Sequence, residues 1–363
     1  MSPVTQSFIG VDLHKCTVAL AAVNPLGEKI AQLKISTKSI GKIEDWLAAL
    51  ARPTHLAVEA CSFVEWFIDR FTPCVDRIDI ADATELANRR GKRRKTDRND
   101  SLDVARRLAR GECPLGFIAP PELMQLRKLG RHWRCLSRLL SRTKHSMKSM
   151  LHAANIRGPK FDGAAAQRWL LANRDLLGAV QQDAFADFID ILNLVERQRE
   201  RMRRQMIFAS RSGKYAATIA RLMTVPGIAE IWALIIAAEI GPFERFPNAD
   251  ALEFWAGLTA DMKESAGRTQ SGHITKAGSA TLRWALGKAG VTLCQCDARQ
   301  EAIRQRLIAR LGKPRANVAM ARRLLRVLYA MMRDSKAYQG GPRRDRTAAA
   351  NKARLARNKK QVA

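Results

Sequence analysis

Phe8-Ile9-Gly10-Val11-Asp12-Leu13-His14-Lys15-Cys16-Thr17-Val18-Ala19-Leu20-Ala21-Ala22-Val23 decides how the first third of the chain folds. Val11, Leu13, Val18, Leu20 and Ala22 alternate on either side of Lys15, which predicts two strands joined by a tight turn. A second turn at Pro25-Leu26-Gly27 leads into a third strand over 29–36. Ile40, Ile43, Trp46, Leu47 and Leu50 then recur at helical spacing. A strand over 55–60, a helix over 63–72, a strand over 77–81 and a further helix complete the order β-β-β-α-β-α-β-α. That order predicts an α/β domain with a mixed sheet, ending near residue 115.

Two of these apolar strands carry an acid, Asp12 and Glu59. A carboxylate in a buried strand is costly unless it is paired or bound to a metal. Downstream, Lys95-Thr96-Asp97-Arg98-Asn99-Asp100-Ser101-Leu102-Asp103 predicts a helix with Asp97 and Asp100 on one face, and Asp103 extends the series. A hard divalent cation prefers carboxylate oxygens, and two such ions can hold the attacking and leaving oxygens of a phosphodiester. The competing account makes Asp97 a helix-start acid and Asp100 an exposed partner of a nearby cation. The run Arg89-Arg90-Gly91-Lys92-Arg93-Arg94-Lys95 stands just ahead, with Arg93, Arg94 and Lys95 as candidate phosphate contacts and a solvated loop as the alternative.

The partner class follows from charge. The 363 residues hold 63 Lys plus Arg against 34 Asp plus Glu, a net charge of +29, and 47% are hydrophobic. The length suits two or three domains, and the apolar content excludes a disordered basic tail. A surplus this large invites a polyanion. No uncharged apolar run is long enough to span a bilayer, so nucleic acid is favoured over a membrane. The start of the sequence has no basic stretch followed by an apolar one, so no signal peptide is expected. The seven cysteines fall at unrelated spacings without a zinc pattern, as in a protein of the reducing cytoplasm.

Two long amphipathic helices are expected next, over 122–157 and 176–211, the first ended by Gly158-Pro159-Lys160. They form a coiled-coil arm over 116–215, serving either as a spacer or as a dimerising arm that also touches nucleic acid through its basic side. An all-α domain over 216–340 follows. Within it, Leu222-Met223-Thr224-Val225-Pro226-Gly227-Ile228-Ala229-Glu230 is similar to a helix-hairpin-helix, although Ala229 stands where a second Gly is usual. A plain helical hairpin is the alternative. Residues 263–278 form a small, polar, basic loop, with Arg268, Lys276 and Arg283 available to neutralise a phosphate and a serine available to attack phosphorus. The basic end, 341–363, either meets nucleic acid or only aids solubility.

GVDLHK, AVEAC and KTDRNDSLDVA together resemble the acidic signature of a group of bacterial insertion-sequence transposases, to which the pilin-gene inverting recombinases also belong. The AGLT block, a Ser-Gly-rich loop, ITKAG and LR resemble the second block of the same group, so the likeness runs over roughly 10–290. The resemblance implies a ribonuclease-H-like (RuvC-like) N-terminal domain with its four metal-binding acids at Asp12, Glu59, Asp97 and Asp100. It implies two Mg²⁺ ions, and a nucleophilic serine at Ser265, with Ser271 as the fallback because Ser265-Ala266-Gly267 departs from the usual Ser-Gly. It further implies a DNA recombinase acting through a 5′-phosphoserine link, DNA donor and target, a guiding noncoding RNA related to bridge RNAs, a homo-oligomer (dimer or tetramer), and a place at the bacterial nucleoid. Two alternatives remain open: a hydrolytic junction nuclease, and an inactive nucleic-acid-binding protein.

Overall fold

The computed structural model describes residues 5–83, 85–86, 97–159, 161–265 and 268–341; at 97–98 and 261–271 it describes the backbone only. The chain divides into two compact units, Met1–Ala119 and Pro120–Ala363. Among the described residues no helix is long and apolar enough to cross a membrane.

The first unit follows the predicted order. Strands β1 (Ser7–Leu13), β2 (Thr17–Val23) and β3 (Lys29–Ser36) precede α1 (Ile40–Ala48) and β4 (Thr54–Glu59). Then come α2 (Val64–Phe71), β5 (Arg77–Ala81), α3 (Asp97–Ala109) and the two-residue β6 (Leu115–Gly116), which has no signal in the sequence. The sheet order is β3-β2-β1-β4-β5-β6. β1 pairs antiparallel with β2 and parallel with β4, and β4 pairs parallel with β5. One sheet face packs Ile9, Val11, Leu13, Leu56 and Val58 against Ile43, Leu47, Phe67 and Phe71 of α1 and α2. The opposite face is paved with small residues, Gly10, Ala19, Ala21 and Ala57, all buried.

Helix α3 beds on that small-residue face. A Cβ added at Gly10 would lie 2.1 Å from the Ser101 carbonyl oxygen, 2.4 Å from the Ala105 nitrogen and 2.9 Å from the Val104 Cβ. Strand and helix backbones are therefore in direct contact, which only glycine permits. Val104 and Leu108 of α3 join Ala57, Ala81, Leu86 and Cys113 in a small core on this side.

The second unit is mostly helical. α4 (Pro121–Ala153) and α6 (Ala179–Arg211) are the two long helices, with α5 (Gly163–Ala172) between them in the chain. Leu140, Met147 and Leu151 of α4 pack with Phe185, Ile189, Leu192 and Val195 of α6. Nearer the other end, Trp133, Met202 and Met206 enter a larger core shared with the C-terminal helices. α4 ends at Ala153, before the expected Gly158-Pro159 stop. Asn155 takes φ 54° there, the Ile156 N–H donates to the Leu151 carbonyl at 2.8 Å, and the Asn155 N–H donates to that of His152 at 3.0 Å. This left-handed cap satisfies the last carbonyls and stops the helix.

Helices α7 (Ala216–Met223), α8 (Glu230–Ile240) and α9 (Ala249–Trp255) lead to a hairpin of β7 (Ala260–Ser265) and β8 (Arg268–Ile274). After it come α10 (Ala280–Cys296), α11 (Ala298–Leu311) and α12 (Lys313–Arg333). The expectation of an all-α domain is therefore corrected, because the loop predicted over 263–278 is largely a two-stranded sheet. β7 and β8 pair antiparallel, with Ser265 opposite Arg268.

Replacing Gly10 with Ala should force α3 off β1. The expected loss is ~3 kcal/mol, toward the upper end for overpacked cores, read from the guanidinium unfolding midpoint of the first unit's transition. A midpoint equal to that of the unchanged protein would show that the contact is not limiting.

Candidate catalytic acids and the serine hairpin

Parallel pairing of β1 and β4 sets Val11 opposite Val58. Asp12 and Glu59 come next, side by side at the strand ends, ~4.8 Å apart in backbone spacing. Asp12 lies two residues beyond Gly10 and Glu59 two beyond Ala57, so both belong to the sheet face under α3. The direction of α3 is fixed at its other end. Arg106 Nε donates to the Gly27 carbonyl at 3.3 Å, in the β2–β3 turn beside the start of β1. α3 thus runs antiparallel to β1, and its first turn, with Asp97 and Asp100, lies toward Asp12 and Glu59.

Asp12 is only 8% exposed, while Glu59 and Asp100 are half-buried. Asp12 Oδ2 is 3.3 Å from Nε2 of the exposed His14. Asp103 accepts from Arg107 Nε at 2.9 Å, a pairing within its own helix. Burial pushes the Cys61 thiol above its ordinary value, and the negative charges of Asp12 and Glu59 push it the same way. Cys61, half-buried, thus feels the negative field of both carboxylates. By sequence it reads as an ordinary thiol; its one signal is its place two residues after Glu59.

Hard carboxylate oxygens of this kind suit Mg²⁺ better than a soft metal. Among the described residues, no group of three or more His, Cys, Asp or Glu side chains is gathered for a metal ion. The Asp97 side chain lies outside that description. Arg93, Arg94, Lys95 and the basic segment 342–363 also lie outside the described residues.

In the second unit, Ser265 ends β7 and its backbone pairs with Arg268 across the turn; the side chains of Ser265, Arg268 and Ser271 are not described. Lys276 follows β8, exposed, with φ 55°. Arg283, half-buried on α10, donates from Nη1 to the carbonyls of Ala256, Ala277 and Gly278 at 3.1, 3.3 and 3.0 Å. Burial draws its guanidinium below the ordinary value, and the charge of Arg134 adds to that. Arg283, a candidate phosphate contact by sequence, thus has a backbone-holding role that its residue type alone does not reveal.

The basic side of α4 is partly committed to packing. Arg131 donates from Nε and Nη2 to the buried Glu239, at 3.0 and 3.3 Å. Arg127 donates to the carbonyls of Ala238 and Glu239 at the end of α8. Arg138, Arg142 and Lys148 stand exposed on the same helix. A nucleic-acid backbone is the chemistry such cations suit.

Comparison with known proteins bears on this second unit first. Residues 219–305 match the family described as "Transposase IS116/IS110/IS902 family". Over 347 residues, 91% of this chain and 85% of the relative, the protein is 23% identical to "Putative transposase y4pF/y4sB" of Sinorhizobium fredii. Over 120 residues, 32% of this chain and 29% of the relative, it is 28% identical to "Insertion element IS110 uncharacterized 43.6 kDa protein" of Streptomyces coelicolor.

The matched segment contains the α7–α8 turn, where Gly227 has φ 95°. A Cβ there would meet Thr292 Cγ2 at 2.8 Å and the Leu293 nitrogen at 3.0 Å, both on α10. The glycine is thus required by packing and by its left-handed backbone. Gly227→Ala is expected to cost ~2 kcal/mol. Thr292→Ser in that background should return only part of it, since the Leu293 nitrogen and the positive φ remain. A guanidinium-monitored double-mutant cycle measures this, and a Gly227→Ala variant as stable as the unchanged protein would contradict it.

Proposed function

We propose that this protein is an insertion-sequence transposase, a DNA strand-cleaving and rejoining enzyme. One observation carries the proposal. The segment that matches the transposase family, residues 219–305, lies in the second unit, while the first unit sets two strand acids on the sheet face beneath an acid-bearing helix turn. The β-strand order, with β2 antiparallel at the centre of the sheet's first half, supports the ribonuclease-H-like reading. The charge of +29 supports a DNA partner.

In this reading Asp12, Glu59, Asp97 and Asp100 hold Mg²⁺. When bound, the ion supplies positive charge to the scissile phosphate and lowers the cost of its developing negative charge. The acids themselves fix where that charge stands, through the rigid β1–α3 contact. Ser265 Oγ attacks phosphorus. A P–Oγ bond forms as the P–O3′ bond breaks; the serine proton passes to solvent or a nearby base, and the departing 3′ oxygen takes up a proton from solvent to leave as a hydroxyl. The 5′-phosphoserine ester preserves the phosphodiester energy, and attack by another 3′-hydroxyl rejoins DNA and frees the serine. Exchange of strands requires more than one such cut, so a homo-oligomer belongs to the proposal. So does a guide noncoding RNA that reads sequence by base pairing, leaving the protein to hold backbones.

A Mg²⁺-supported reaction on element-end DNA together with the element's noncoding RNA, with denaturing gels, tests this. The unchanged protein should leave protein-linked DNA, and Ser265→Ala should form none while still binding DNA. Asp12→Asn should lower cleavage by at least ~100-fold. Cleavage by Ser265→Ala at the unchanged rate would overturn the serine step in favour of a hydrolytic nuclease. Equal behaviour of Asp12→Asn and the unchanged protein would overturn the acid site.

A further inference from the structure

We propose that Arg283 is the positioning residue that aims the Ser265 hairpin, holding both ends of its root through the backbone. The inference rests on the reading of Ser265 as nucleophile and deepens it.

A two-stranded hairpin is marginally stable by itself, so its direction depends on its base. Here the base is built from an unusual backbone. Gly257 has φ 67°, Lys276 φ 55° and Gly278 φ 28°. A Cβ at Gly278 would lie 2.1 Å from the Trp255 carbonyl oxygen, and one at Gly257 would lie 2.5 Å from the Ala277 nitrogen. The incoming and outgoing chains are therefore pressed together, backbone on backbone. The Lys276 N–H donates to the Gly257 carbonyl at 3.2 Å and the Thr275 N–H to that of Thr259 at 3.0 Å. Left-handed positions persist when their surroundings over-determine them. Arg283 supplies that surrounding: one guanidinium nitrogen reaches Ala256 on the incoming side and Ala277 and Gly278 on the outgoing side.

The support for Arg283 is independent of the hairpin. Its helix begins at Ser279, whose hydroxyl accepts from the Thr281 and Leu282 N–H groups, both at 3.2 Å. Leu282, Ala285 and Leu286 then bury α10 in the larger core. The guanidinium is thereby a fixed post from which the root is held. Burial of Glu253 on α9, ion-paired with Arg322 at 2.6 Å and Arg326 at 3.2 Å on α12, fixes the helix that delivers the incoming chain.

The lever is long. From Thr259 to Ser265 the strand spans ~20 Å, so a ~10° swing at the root moves the tip by ~3 Å. A misplacement of ~1 Å is enough to cost ~100-fold in rate. A lysine retains the charge at position 283, but its ammonium ends one bond short of the place where Arg283 Nη1 meets all three carbonyls, and it lacks the planar guanidinium that holds that nitrogen in place. Geometry and charge are thereby separable: the Arg283→Lys variant should fail as a clamp, although its lysine would serve as a phosphate contact.

The test uses the full-length protein, a synthetic element-end DNA duplex with the element's noncoding RNA and Mg²⁺, and the variants Arg283→Lys and Arg283→Ala. Hydrogen exchange across 256–279 reports the root directly and needs no catalysis. Both variants should exchange faster there while the peptides of α8 and α12 keep their protection. At saturating DNA, single-turnover formation of the protein–DNA adduct should fall by ~100-fold or more in both, with the Kd for DNA and its salt dependence unchanged. Unchanged exchange at 256–279 in Arg283→Lys overturns the clamp. So does an adduct rate for Arg283→Lys within ~3-fold of the unchanged protein, or a weakened Kd with a shallower salt slope, the signature of a phosphate contact. Loss of protection throughout the unit in both variants overturns it as well, since Arg283 would then serve the whole core. If the unchanged protein forms no adduct, the serine reading fails by itself, and the proposed role in aiming it falls with it, whatever the exchange shows.

Discussion

The contact between Gly10 and the backbone of α3 is the constraint on which the first unit depends. A helix normally stands off a sheet by the thickness of two side-chain layers. Here the Ser101 carbonyl and the Ala105 amide reach the strand itself, because Gly10 has no Cβ and its neighbours Ala19, Ala21 and Ala57 have little more. The close approach has a cost in apolar burial on this face, since small residues exclude less water than the Val, Leu and Phe on the other. What it gains is register. Asp12 and Glu59 are fixed by strand pairing, and a helix that touches the strand has little freedom to slide. The position of its acidic first turn is therefore set by backbone contact and not by soft side-chain packing.

Much of this first unit is legible in the sequence, since strands with strict alternation and helices with 3.6-residue periodicity announce themselves locally. The predicted strand over 29–36 and the helix that starts at Ile40 match the observed elements. Asp12 and Glu59 stand out because they interrupt apolar runs. The role of Gly10 is not legible: it depends on a helix far along the chain, and a glycine between Ile9 and Val11 has no local feature that distinguishes packing from a bulge. Cys61 escapes notice for a similar reason, because a thiol's environment is a tertiary property.

The second unit is less legible, again for physical reasons. Ala260-Asp261-Met262-Lys263-Glu264-Ser265 has little intrinsic strand preference, so the hairpin arises from pairing of its own halves above a tightly built root. Composition signals a polar loop and gives no sign of pairing. The early stop of α4 at Asn155 is hidden because the more familiar breakers, Gly158 and Pro159, stand just beyond it. The candidate residues divide in the same way. Types and spacings mark Arg283 as a cation near a serine, but only the structure gives its three carbonyl partners. Cations on the long arm similarly divide into those tied to buried partners, such as Arg131, and those exposed along the helix, such as Arg142.

The proposed function stands or falls on whether β1, β4 and the first turn of α3 together form a cation site that serves phosphodiester chemistry. Crystals of the protein bound to element-end DNA, grown with Mn²⁺ in place of Mg²⁺, decide this through anomalous scattering. The expected result is a peak bounded by Asp12, Glu59 and the acids at 97 and 100, in contact with a phosphate oxygen. No peak there in a DNA-bound complex, or Asp12 and Glu59 paired instead with basic side chains, would contradict the proposed site.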